Sequence, residues 1–125
     1  MSRTVLEPSV EHPITIEPMP GRVVVEVGGT VVADSRSALT LRESTYPPVQ
    51  YIPMSDVEQS LIEPTDTSTY CPFKGDASYY SVTPSGAEPV TDAIWTYADP
   101  HPAVAEIAGH VAFYPDRARV TVSDE

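Results

Sequence analysis

Arg22-Val23-Val24-Val25-Glu26-Val27-Gly28-Gly29-Thr30-Val31-Val32-Ala33 decides the fold class. Two β-branched runs flank Gly28-Gly29, and a Gly-Gly pair accepts the positive φ angles of a tight primed hairpin turn. The stretch predicts two antiparallel strands. Outward from it, Asp34-Ser35-Arg36-Ser37 turns the chain into a third strand over 38–43, with Leu39 and Leu41 on one face and Thr40 and Arg42 on the other. Tyr46-Pro47-Pro48 breaks that strand, and extended structure resumes over 49–52. Ser55 is placed to cap one helical turn through Val57 and Glu58, after which Leu61-Ile62 reads as strand. Residues 77–82 and 93–97 are β-prone and aromatic, and 111–114 with 118–122 read as a closing hairpin across Pro115-Asp116.

One short helix is expected over 102–108, where Pro102 suits the first turn and Gly109 the carboxyl end. Residues 1–20 alternate Pro, Glu and single aliphatics, an extended arm with Ile14 and Ile16 available to pack one face. Residues 21–123 make one domain. The plan is all-β, about eight short strands in two antiparallel sheets. Val24, Leu39, Leu41, Val82, Trp95 and Phe113 are the predicted core.

Fourteen prolines against six glycines in 125 residues favour short strands and irregular loops over long helices. A net charge of −11 repels phosphate backbones and anionic lipid, so neither nucleic acid nor a membrane surface is an expected partner. The single cysteine rules out an intramolecular disulfide and a multi-cysteine zinc site. Acidic Glu7, Glu11 and Glu17 and the lack of an apolar run argue against a signal peptide, and no segment is apolar for the ~20 residues a bilayer requires. The cytoplasm is the expected compartment. Composition sets no oligomeric state.

The chemistry-bearing stretch is Thr69-Tyr70-Cys71-Pro72-Phe73-Lys74-Gly75, which holds the only cysteine and the only lysine three residues apart. A thiolate is stabilised beside an ammonium, so Cys71 is either a nucleophile helped by Lys74, or by a histidine brought near in the fold, or a buried small hydrophobe. Lys74, in a loop bounded by Pro72 and Gly75, is either a salt-bridge donor or the cation that meets a ligand. Arg36 and Arg42 either join it in a positive cluster or pair with Asp34, Glu43 or Asp56. Tyr51, Trp95 and Tyr97 are candidates for a pocket wall, where aromatics with few polar groups are the usual lining. The histidines and the cysteine show no metal-ligand spacing, and Gly28-Gly29 precedes no helix, so no metal, phosphate loop or cofactor is expected.

In order along the chain stand Gly29-Thr30-Val31-Val32-Ala33-Asp34-Ser35-Arg36, Glu43, Tyr51-Ile52-Pro53, the heptapeptide with Asp76-Ala77, Tyr79-Tyr80, Trp95-Thr96-Tyr97, Pro100, Ile107-Ala108-Gly109 and Phe113-Tyr114. Together they resemble the domain-of-unknown-function 427 family over residues 22–122. Some catalogues file that family under a nucleotidyltransferase-like name, but the short-spaced acidic pair of such enzymes is missing. The resemblance implies a β-tent, two antiparallel sheets leaning together. Relatives of that architecture hold zinc through paired Cys-x-x-Cys knuckles, absent here, or small molecules in an aromatic cage, which points to Trp95 and Tyr97. The reading is a binder of a small polar or anionic molecule in a pocket between the sheets. Its lining is Arg36, Glu43, Tyr51, Cys71, Lys74, Trp95 and Tyr97. A Cys71-dependent enzyme and a protein-interaction module are the alternatives.

Overall fold

The computed structural model describes residues 4–124. Among them ten strands form: β1 (Ile14–Pro18), β2 (Arg22–Val27), β3 (Thr30–Ser35), β4 (Leu39–Glu43), β5 (Val49–Pro53), β6 (Ile62–Cys71), β7 (Gly75–Val82), β8 (Val90–Thr96), β9 (His110–Phe113) and β10 (Arg119–Ser123). Seven make one sheet, ordered β1-β4-β5-β9-β8-β7-β6, and three make another, ordered β10-β2-β3. All pairings are antiparallel. The protein is mainly β, as the hairpin stretch implied.

In that hairpin Gly28 and Gly29 have φ of 57° and 82°, the two positive values a type I′ turn requires. Val23, Val25 and Val27 point into the core, each 2% exposed or less. Val24, expected in the core, is half-buried on the opposite face. Three successive valines fit either face, and Arg22 and Glu26, which share a face with Val24, settle the matter by keeping their charges outward.

The large sheet is covered on both sides. One face packs Ile52, Val82, Ile94, Val111 and Phe113 against the valines of the small sheet. The other gathers Leu41, Tyr51, Ala77, Tyr79, Tyr97 and Ala112 beneath Val104 and Ile107. β1 lies along β4 from Ile14 opposite Glu43 to Pro18 opposite Leu39, and Ile14 and Ile16 join this second face.

Several local expectations change. The short helix expected over 102–108 is present as 3-10 turns over Pro102–Ile107, broken at Val104 (φ −127°, ψ 28°). Val104 and Ile107 are both fully buried against the second face of the sheet. Ser55 caps nothing: Met54–Asp56 is a 3-10 turn without a side-chain cap bond. The heptapeptide is a hairpin tip and not a free loop, since Tyr70 and Cys71 pair with Asp76 and Gly75. The expected closing hairpin of 111–114 with 118–122 does not form. β9 joins β5 and β8, while β10 joins β2 in the other sheet. The amides of Arg117 and Ala118 both donate to the Tyr114 carbonyl, and that tight turn redirects the chain between sheets. No helix among the described residues is long and apolar enough to cross a membrane.

Candidate functional site

Glu43 ends β4, and Lys74 stands in the turn between β6 and β7, far across the large sheet in strand order. They nevertheless meet, because the sheet curls until its two ends face each other. The Lys74 ammonium donates to Oε1 of Glu43, and Oε2 of Glu43 lies 2.7 Å from Nε2 of His12. Lys74 is 8% exposed. The His12 ring stacks on Phe73 at 4.1 Å, so the segment before β1 is clamped to the hairpin tip by ring and charge together. Burial pushes the Glu43 carboxyl up, but the bonds from Lys74 and His12 outweigh it and hold the pKa below its usual 4.5.

Under this latch lies a cavity of about 170 Å³, walled by Tyr51 of β5, Tyr79 of β7, Trp95 of β8, and Tyr46, Tyr97 and Tyr114 from the strand ends. Trp95 Nε1 donates to the Tyr51 hydroxyl at 3.1 Å. The Tyr79 hydroxyl is shared with Thr69 at 2.9 Å and Tyr114 at 3.4 Å. Burial pushes the Tyr51 and Tyr97 hydroxyls far above their ordinary value, and burial with the Tyr79 bond takes Tyr114 to about 12. All three are therefore neutral groups that exchange hydrogen bonds. No buried side-chain oxygen or nitrogen is orphaned among the described residues. The Tyr97 hydroxyl has no protein partner among them and is not sealed from solvent, although the residue, which lines the cavity, is only 7% exposed.

Of the residues predicted for a site, Glu43, Tyr51, Lys74, Trp95 and Tyr97 converge here. The cavity is on the face of the large sheet turned away from the small one, not between the sheets as expected. Cys71 is half-buried against the same cluster, its sulfur 4.0 Å from the Lys74 nitrogen, but does not line the cavity. Arg36 is exposed on the turn after β3 and lies outside it. Arg22, not Arg36, makes the close pair with Asp34, at 2.6 Å. His12, Tyr46 and Tyr114 escaped sequence reasoning. For Tyr114 the sequence offered one signal, alternation within 111–114, which sets it on one face with Ala112. For His12 it offered none, since its place depends on β1 pairing with β4.

Among the described residues no group of three His, Cys, Asp or Glu side chains is placed to hold a metal ion. No curated protein matches the chain. Residues 15–124 match the family described as Domain of unknown function (DUF427), whose description assigns no activity. The match runs from β1 through β10, covers the latch from Glu43 to Lys74 and every aromatic of the cage, and so this chain belongs to the domain-of-unknown-function 427 family.

Proposed function

We propose that this chain is a cytoplasmic binder of a small polar molecule held in the tyrosine cage. The observation that carries the reading is Tyr97, a residue 7% exposed that lines the cavity and whose hydroxyl has no protein partner among the described residues. That hydroxyl is not sealed from solvent, so a bound molecule gains about 0.5–1.5 kcal/mol by exchanging a hydrogen bond with it. Tyr51, which accepts from Trp95, retains a hydroxyl proton to donate. A neutral head with both donor and acceptor suits this pair. An anion finds less, because the Lys74 charge is already met by Glu43.

Cys71 as a nucleophile has less behind it. Among the described residues no histidine hydrogen bond reaches its sulfur, and the neighbouring ammonium is committed to Glu43. The test uses the fluorescence of Trp95, titrated with acetamide and butanamide. Saturable change is expected in the unsubstituted protein, with affinity weakened about fivefold in Tyr97→Phe, as for one lost neutral hydrogen bond. A response identical in Tyr97→Phe removes the reading.

A further inference from the structure

We infer that the ligand of the cage is an amphiphile, whose neutral head sits among the tyrosines and whose apolar tail passes through a gap in the large sheet into the groove between the two sheets. This rests on the cage being a ligand site, as proposed above.

The gap is built into the strand pairing. β5 meets β9 only at Ile52 with Val111 and Pro53 with His110. The same register continued would set Gln50 opposite Phe113 and Val49 opposite Tyr114. There, however, β5 pairs with β4 alone, and β9 with β8 alone. Pro47 and Pro48 precede β5 and Pro115 follows β9, and none of them has an N–H with which to resume a ladder. The β5–β9 ladder therefore ends at Ile52 and Val111, and no pairing joins the two strands beyond it.

Behind the gap lies a groove of about 520 Å³, walled by Ile52 and Phe113 of the large sheet and by Val120 and Val122 of β10. Its chemistry is unlike that of the cage. The walls are aliphatic, aromatic and proline, and the one amide, Gln50, is tied to Thr40 at 2.9 Å. Tyr46, Pro47, Val49 and Trp95 line both spaces. Val49 is a lip of the gap, and Trp95 belongs to the strand beyond β9. A polar chamber and an apolar groove that share four wall residues across an interrupted ladder fit one molecule with a polar end and an apolar end. Val122 at 46% exposure and Tyr46 at 64% are the apolar surface such a tail would cover.

Straight-chain primary amides from acetamide to octanamide, titrated against the fluorescence of Trp95, test the path. Dissociation constants are expected to fall about three- to fourfold for each CH₂ that enters the groove. Val122→Lys, on the exposed edge strand, is expected to erase the gain with length. Tyr97→Phe is expected to weaken every member alike. Binding of acetamide and butanamide with no gain along the series overturns the tail path and leaves the cage reading in place. Silence at every length overturns both. A full length dependence in folded Val122→Lys protein puts the tail elsewhere and also overturns the inference. The length series needs no variant, so it stands even if a substituted chain fails to fold.

Discussion

Lys74 shows how a single residue can answer two questions at once. As a side chain it reaches the cavity; as a charge it is bound to Glu43, with side chains 10% and 14% exposed. Lys74→Met strands a largely buried carboxylate whose remaining partner is His12. A loss of about 2–3 kcal/mol in stability is expected, below that of a fully enclosed pair because both groups touch water. Lys74→Met combined with Glu43→Gln should lose less than the two single changes together, as read from denaturant midpoints; strict additivity would show that the contact is idle. The acid response follows from the same pair. Glu43 has a folded pKa below its unfolded value, so its contribution is complete above pH 4.5 and disappears as pH falls through the folded value. Urea midpoints from pH 7 to pH 3 should decline on the acid side, and Glu43→Gln should flatten that decline. Some slope will persist from Asp34 and Asp92, whose carboxyls are lowered by Arg22 and by Thr67 with Thr65. If Glu43→Gln leaves the slope whole, the latch is not the acid-sensitive group. Sequence reading singled out Lys74 and Glu43 because their local setting is unusual. It had no means of choosing between ligand and partner, since the two meet only after the sheet has curled.

At the level of elements, the legible parts are those whose cause is local. Gly28-Gly29 between valine runs specified its hairpin outright, because turn geometry and strand propensity agree there. The two glycines are not equivalent, however. A Cβ on Gly28 would lie 3.0 Å from the Ala87 Cβ and 3.2 Å from Cγ of Pro84, whereas one on Gly29 meets nothing within 4 Å. Both would strain a positive φ. Gly29→Ala should cost about 1 kcal/mol and Gly28→Ala about 2, with Gly29→Asn milder than either. Equal losses from the two alanines would mean that the packing of 84–87 yields freely. The segment 102–107 was less legible. Pro102 and Gly109 mark its ends but not its period, and Val104 and Ile107 are fully buried on the second face. Ile107→Ala should cost about 2–4 kcal/mol by the cavity it leaves in that cluster, measured by the same denaturant midpoints.

For the whole molecule, the sequence announced the class and withheld the connections. Alternation says which residues share a face, never which strand lies beside them, so 111–114 and 118–122 looked like neighbours and are in different sheets. The same blindness gathered Leu41 and Trp95 into one core with Val82 and Phe113, although they pack on opposite faces of the large sheet. The pairing of β10 with β2 also bears on the order in which the molecule assembles. β2 and β3 are adjacent in sequence, whereas Arg119 of β10 pairs with Glu26 of β2 across most of the chain. A hairpin closes in about 1–10 μs, but so distant a contact belongs to the slow, millisecond-to-second regime. In stopped-flow kinetics Gly29→Ala should slow refolding, while Val120→Ala in β10 should chiefly hasten unfolding. A large refolding defect from Val120→Ala would instead place β10 in the nucleus. In a nascent chain the valine ribbon thus waits with the backbone edge of β2 unpaired, and that interval is when another chain can take the place of β10.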